Sequence, residues 1–182
     1  MYRVIVTTAA ASEPVTATEA YNQLKIDAGY DDDHVAFLLS SARDKAEKFC
    51  NRFFTVQTIK VVYYEPFDAT KIELPYPDIT AVTDISYIDS ENARQTIDSA
   101  DYTLMADEQV IYPVDSFPNG AKSYTVTLTT GAPAEMSAVK IAILMLLTDL
   151  YELRTESVVG FSVSNNPAVS NYLWPYRVEL GV

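Results

Sequence analysis

The segment from Gly131 to Glu156, GAPAEMSAVKIAILMLLTDLYELRTE, constrains the fold most, because Ile141 to Leu147 are apolar on every side of a helix. A helix of this kind must be covered on several sides. A bilayer, the core of one domain or another protein chain could cover it. Lys140 and Asp149 leave only eight uncharged positions between them, whereas a membrane span needs roughly 20 apolar residues. We therefore interpret the segment as a helix buried by protein.

The sequence leaves open which protein surface covers this helix, predicted over about residues 133–154, with Pro133 suited to a first helical turn. Its main apolar stripe comprises Met136, Val139, Ile143, Leu146, Leu147 and Leu150. Ile141, Leu144 and Met145 fall on other faces and are the candidate subunit contacts. Complete burial by the strands and the second helix of the same chain is the alternative.

Two earlier helices are predicted from their start signals and apolar spacing. Thr16 and Glu19 have the spacing of a capping box, which predicts a short helix over about residues 17–26. The acidic run DDD then precedes apolar residues at three- and four-residue steps, with basic residues toward the end. This pattern predicts a long amphipathic helix over about residues 32–52.

The region of about residues 55–130 is rich in β-branched and aromatic residues and predicts five or six short antiparallel strands. The strand segments are TVQTIKVVYYEPF, KIELPYP, AVTDISYID, DYTLM, QVIYP and SYTVTLTT, with turns at DSENARQ and PNGAK. The predicted fold class is α+β: a helical bundle of one short and two long helices, an inserted β region, and an extended C-terminal arm. We predict one domain over residues 1–154 and the arm over residues 155–182.

The end of the chain carries an aromatic cluster with one arginine: Tyr172, Trp174, Tyr176 and Arg177. Trp, Tyr and Arg are enriched among the residues that dominate binding at protein interfaces. The cluster therefore predicts either an arm that reaches a partner or a segment that folds back onto its own domain.

Charge and composition exclude several functional classes. Thirteen Lys and Arg against 25 Asp and Glu give a formal net charge of −12, which disfavours tight binding of nucleic acid. Most of the charged residues from Glu65 to Glu108 are acidic, and Lys71 and Arg94 are the only bases among them. Phosphate-binding glycine loops, GxSxG elbows and HExxH motifs are absent from the sequence.

The remaining candidates for chemistry favour structural roles. Asp31 to Asp33 lack the alternating ligands and closing Glu of a calcium loop, so we interpret them as helix-start residues. His34 is interpreted as a solvated residue of the first helical turn, and Cys50 as a small hydrophobe on an apolar stripe. We expect no catalytic residue, metal or cofactor. A monomeric α+β binding domain and a carboxylate-based hydrolase remain as alternatives.

Five segments in order resemble the head–tail connector (adaptor, or head-completion) family of tailed bacteriophages. They are EPVTATEAYNQLKID, DDDHVAFLLSSARDKAEKFCNRFF, LPYPDITAVTDISYID, GAPAEMSAVKIAILMLLTDLYELR and NYLWPYRV, and together they span nearly the whole chain. The resemblance implies a structural virion protein without enzymatic activity, made in the host cytoplasm. It implies a homo-oligomeric ring, dodecameric in the virion, that docks on the portal and extends the DNA channel.

The resemblance also implies partners and contact residues. The ring would bind the portal protein on one side and the next head-completion or tail protein on the other, away from any membrane. The helices from Asp32 and from Pro133 would form the helical body and much of the subunit contact. The segment after Arg154, with Trp174 and Arg177 near its end, would reach a neighbour or the portal. Genomic DNA would pass through the lumen without specific binding. From the charge balance we hypothesise that the channel wall repels the phosphates of the passing DNA.

Overall fold

The computed structural model describes residues 1–64, 70–152 and 167–178. Within these ranges it is a mixed α+β protein with four helices and two antiparallel sheets, which confirms the α+β class and only part of the predicted helical bundle. The strands are β1 (Tyr2–Thr8), β2 (Thr58–Tyr64), β3 (Ile72–Glu73), β4 (Ile79–Ile88), β5 (Arg94–Ile97), β6 (Tyr102–Met105), β7 (Val110–Pro113) and β8 (Ser123–Thr130). The helices are α1 (Ala17–Leu24), α2 (Asp32–Cys50), α3 (Ser137–Glu152) and α4 (Pro167–Leu173), with 3₁₀ turns at Ser99–Asp101 and Trp174–Tyr176.

The chain divides into two compact units, each built from two stretches of sequence. The strand unit comprises Met1–Ala11 and Thr55–Ala132. The helical unit comprises Ser12–Phe54 and Pro133–Val182. The predicted boundary at residue 154 stays a prediction, since residues 153–166 lie outside the described part.

The strand unit contains two antiparallel sheets, ordered β1-β2-β8-β4-β5 and β3-β7-β6. In the larger sheet Val126 of β8 lies between Val61 of β2 and Ile85 of β4, and all three are fully buried. Side chains along a strand alternate between the two faces of its sheet. These register partners therefore share one apolar face, while Thr125, Thr127 and Thr129 of β8 alternate onto the other.

Strand prediction was incomplete in two places. β5 occupies part of DSENARQ, where a turn was predicted, and pairs with the end of β4. β1 lies in a segment for which no strand was predicted, and its Val4 sits opposite Val61. Both strands have weak alternation of their own and become strands by pairing with distant segments.

The helical unit begins with the predicted capping box. The Thr16 hydroxyl accepts from the Glu19 N–H at 3.2 Å, and the Glu19 carboxylate accepts from the Thr16 N–H at 2.7 Å. α1 then ends at Leu24, two residues earlier than predicted, because Lys25 adopts a left-handed conformation that closes the helix. At the start of α2 the Asp31 side chain makes no capping hydrogen bond, and Asp32 instead accepts from the Gly29 N–H at 2.8 Å.

α2 buries the apolar stripe that its sequence predicted and ends at Cys50, where Asn51 turns left-handed. Its less apolar side is anchored by a partly buried ion network. Arg43 donates to both Glu13 and Glu47 at 2.7 Å, and Glu47 also accepts from the Phe54 N–H at 2.8 Å. The network fixes the segment that precedes α1 and the segment just after α2 against the α2 helix.

α3 begins at Ser137, later than the predicted start at residue 133. Its first helical hydrogen bond runs from the Lys140 N–H to the Met136 carbonyl at 2.8 Å. Pro133 therefore precedes the helix and does not occupy its first turn. Among the described residues, none of the helices is long and apolar enough to cross a bilayer.

Candidate interaction surface

α3 is covered mainly by other helices of the same unit, since it packs against α1, α2 and α4. Its buried residues are Val139, Ala142, Ile143, Leu146 and Leu147. Polar contacts reinforce the fit to α1: Lys140 lies 3.1 Å from the Glu19 carboxylate, and Gln23 donates to the Thr148 hydroxyl at 3.1 Å. Intramolecular packing thus accounts for most of the apolar surface that made this helix unusual.

The three predicted contact residues of α3 differ in their surroundings. Leu144 and Met145 are half-buried and pack against the core of the helical unit. Ile141 remains 43% exposed, which is high for an isoleucine in the middle of a helix. Ile141 is therefore the member of this set that presents the most apolar surface to a partner.

Residues 167–178, within the predicted arm, fold back onto the helical unit. Val169 and Leu173 of α4 are buried in its core, with Leu173 only 1% exposed. The Val178 N–H donates to the Cys50 carbonyl at 2.8 Å, and the Asn51 side-chain amide donates to the Val178 carbonyl at 3.1 Å. These described residues match the folded-back alternative, while residues 153–166 and 179–182 of the predicted arm lie outside the described part.

The surface of this C-terminal segment carries a group that we call the C-terminal patch: Phe49, Trp174 and Arg177. The Arg177 guanidinium carbon lies 5.4 Å from the Trp174 ring centre and 5.7 Å from the Phe49 ring centre. Both distances lie within the range of cation–π attraction. Trp174 is nonetheless 63% exposed, so the patch combines an ordered arginine with a large aromatic surface open to a partner.

The remaining predicted residues flank the patch. Tyr176 is half-buried, and its ring meets Phe54 edge-on with 6.5 Å between centres. Tyr172 is exposed on α4. The structure thus brings Trp174 and Arg177 together, whereas none of the described ring or charge contacts connects Ile141 to them.

Sequence reasoning missed two aromatic residues of the helical unit. Phe49 was assigned only to the apolar stripe of α2, although it contacts Arg177. Phe37 is an exposed phenylalanine on the outer side of α2. Its position off the three- and four-residue spacing of the stripe was the available signal, because an apolar residue outside the stripe faces solvent or a partner.

The candidates for chemistry lie in settings that favour structural roles. Burial raises the pKa of the fully buried Cys50 thiol to about 11, which leaves it protonated and unreactive near neutral pH. The His34 ring is half-buried and lies 6.1 Å from that of Tyr151. Across the described ranges, no group of three or more acidic, histidine or cysteine side chains is placed to hold a metal ion.

Comparison with known proteins finds similarity in structure alone. No protein-family model and no curated protein matches the chain. A chain from the neck of an empty gene transfer agent (GTA) particle, computed with C6 symmetry, matches with a TM-score of 0.77 at 17% identity, covering 99% of this chain and 97% of that one. A chain from the virion of the native GTA particle matches with a TM-score of 0.74 at 15% identity, covering 98% and 97%.

A chain from the neck of the native GTA particle, computed with C12 symmetry, has a TM-score of 0.74 at 16% identity, covering 99% and 97%. These matches span both units of the present chain and nearly all of the other chains. At such low identities they establish a shared fold.

Proposed function

We propose that this chain is a structural protein of the neck of a tailed phage or phage-like particle. In this proposal it forms a ring adaptor between the portal and the next head-completion or tail protein and extends the DNA channel. The observation that carries the proposal is the full-length match in fold to chains of GTA necks and virions. Because both units match, the similarity is not that of one common domain inside an unrelated protein.

The proposed ring is a homo-oligomer, dodecameric in the virion. Support comes from the six- and twelve-fold symmetries of the similar neck structures. Rotational symmetry requires each subunit to present two different surfaces, one to each neighbour. Ile141, Tyr172 and the C-terminal patch are the candidate contacts of the helical unit with a neighbour or the portal, and their exposed apolar area supports this role.

The proposed channel function agrees with the charge of the chain. A formal net charge of −12 repels phosphates and opposes the counterion release that drives DNA binding. Genomic DNA would therefore pass through the ring without being held. The proposal assigns no reaction to the chain, and its location would be the head–tail interface of the virion.

Light scattering and negative-stain electron microscopy of the purified chain, alone and with portal rings from the same particle, test the proposal. We expect annular particles, either free or seated on the portal. The measurement with portal rings added is essential, because ring closure can depend on a template that orders the contact segments. A compact monomer that does not bind the portal would overturn the proposal and favour the monomeric binding domain.

A further inference from the structure

β1 is one of the two outer strands of the five-stranded sheet. It has seven residues, whereas β5 at the opposite edge has four. The outer strands of the three-stranded sheet, β3 and β6, have two and four. In the described part of the chain, β1 therefore offers the longest open strand edge.

The direction of the backbone groups of β1 follows from one hydrogen bond. The Met1 carbonyl accepts from the Tyr64 N–H at 3.0 Å, so these two residues form a hydrogen-bonded pair of the β1–β2 ladder. Hydrogen-bonded and non-bonded pairs alternate along an antiparallel ladder. The N–H and carbonyl groups of Tyr2, Val4 and Val6 consequently point away from β2, toward the position of a further strand.

β1 has little of the protection that open edges usually carry, and its one irregularity is a register shift against β2 between Val6 and Thr8. The strand contains no proline or lysine, and Arg3 is its only charged residue. Ile5 and Val6 are 39% and 48% exposed. Exposed edges are normally short, charged or interrupted, because unpaired backbone groups recruit other strands. From Tyr2 to Val6 the strand pairs with β2 in continuous register and is mostly apolar, and an edge of this kind is typical of a strand that another strand covers.

A second copy of this chain carries a suitable strand in β5. A rotational ring repeats one head-to-tail contact, so β1 of one copy must meet a different element of the next. On β5 the Ala93 carbonyl accepts from the Asp89 N–H at 3.0 Å, and the same alternation directs the backbone of Arg94 and Thr96 outward. Joining β1 to β5 would leave neither edge of this sheet open.

The side chains of the two edges are also compatible. Register partners run across the sheet from Val4 through Val61, Val126 and Ile85 to Ile97, so all five lie on one face. β1 and β5 run in the same direction, because an even number of antiparallel steps separates them. Pairing β1 of one subunit with β5 of the next would therefore form a parallel strand pair and continue the apolar face from one subunit to the next.

We propose that, in the assembled ring, β1 of each subunit pairs with the outer edge of β5 in the next subunit, so that the sheets form one continuous band. This inference rests on the proposed function, because it requires a ring. It adds a backbone-mediated contact of the strand unit to the side-chain contacts proposed for the helical unit.

A proline at position 4 tests the pairing. The Val4 N–H points away from β2, so Val4→Pro leaves the β1–β2 hydrogen bonds in place while removing an outward donor and obstructing an added strand. Val4→Thr is the matched control, since it keeps the N–H and a β-branched shape. Sedimentation and negative-stain imaging with portal present should show at least a tenfold loss of rings for Val4→Pro and little loss for Val4→Thr.

A cysteine pair gives an independent test that does not depend on how the proline variant folds. Cys50 is the only native cysteine and is fully buried, so disulfides in assembled protein would come from introduced thiols. Oxidised Val6→Cys/Ile97→Cys protein should give a ladder of covalent multimers on a denaturing gel. Each single variant should give dimers at most.

The outcomes separate this inference from the proposed function. If the wild-type chain forms no rings with or without portal, the proposed function fails and the pairing fails with it. If wild-type rings form and folded Val4→Pro assembles equally well, the pairing is wrong and the ring stands. Should Val4→Pro misfold, the cysteine pair decides: multimers support the pairing, and monomers from assembled rings overturn it.

Discussion

The backbone N–H of Val178 donates a hydrogen bond to the carbonyl oxygen of Cys50 across 2.8 Å, and this bond attaches the end of the described chain to the end of α2. The Cys50 thiol in turn lies 3.5 Å from the carbonyl oxygen of Leu173, to which it donates. Residues 167–178 therefore complete the core of the helical unit. Removing them should unfold part of that unit in addition to altering any contact with a partner.

Leu173→Ala should strongly destabilise the helical unit. The side chain is 1% exposed, and large-to-small changes at such sites cost about 2–5 kcal/mol through lost burial and the cavity left behind. Urea unfolding followed by circular dichroism measures the change. Asn171→Ala, at an exposed position of the same helix, should stay within about 0.5 kcal/mol. Equal stability of the two variants would contradict the folded-back arrangement.

Glu47→Ala should also destabilise the helical unit, by about 1–3 kcal/mol, because it leaves the Phe54 N–H and part of Arg43 without their acceptor. Lys48→Ala is the matched control on the same helix. Its ion pair with Asp44 is largely exposed, and such pairs contribute about 1 kcal/mol or less. Urea unfolding of both variants checks this, and an equally small effect of Glu47→Ala would argue against the partly buried network.

Cys50 should resist thiol reagents at pH 8 in the native protein and react rapidly in urea. Burial is the main cause that raises the pKa of this thiol, to about 11. The folded state favours the protonated thiol. The protonated Cys50 thiol therefore makes its full contribution to the free energy of unfolding below the ordinary thiol pKa of about 8.5. It is lost as the pH rises from there toward 11. The Cys50→Ser variant should lose the part of the alkaline decrease in stability that comes from this thiol. Rapid reaction of Cys50 with a thiol reagent in the native protein would contradict its burial.

Trp174→Ala should weaken association with the portal or with neighbouring subunits by tenfold or more, while the free energy of unfolding changes little. The ring is mostly exposed in the isolated subunit, so its burial would be gained only on binding. Arg177→Lys should give a smaller loss, because lysine keeps the charge without the planar stacking on two rings. Sedimentation velocity with portal measures the association of both variants. Unchanged association of Trp174→Ala would show that the C-terminal patch is not part of the interface.

The wild-type chain should not retain double-stranded DNA in a mobility-shift assay at about 0.15 M salt. Replacing the exposed acids Asp101, Asp107 and Asp115 together with lysine should produce retention that declines as salt rises, since cation contacts to phosphate release counterions. The corresponding asparagine variant controls for loss of negative charge alone. Tight, salt-resistant binding of DNA by the wild-type chain would contradict a channel through which DNA passes without being bound.

Features fixed by neighbouring residues could be predicted from the sequence. The capping box of Thr16 and Glu19 and the buried stripe of α2 depend on contacts within a few residues, and both are present. The surroundings of α3 could not be predicted, because periodicity shows that a helix must be covered without showing by what. The structure shows that α1, α2 and α4 cover most of it.

Features that depend on distant segments were missed for a related reason. β1 and β5 are strands because of their partners, and their own sequences give only a weak signal. The same holds for the candidate surface. Composition pointed to Trp174 and Arg177, but Phe49 joins them only because the end of the chain folds back onto α2.

The division of the helical unit between two stretches of sequence sets the order in which a new subunit can mature. The ribosome completes α2 before it has made Thr55–Ala132, and α3 and α4 come only afterwards. At about 5–20 residues per second the intervening stretch takes on the order of several seconds to synthesise. During that time the apolar stripe of α2 has neither helix to cover it, whereas all the strands of the other unit exist once Ala132 is made. The strand unit can therefore mature first, and a nascent subunit has its greatest need of chaperones just before α3 emerges.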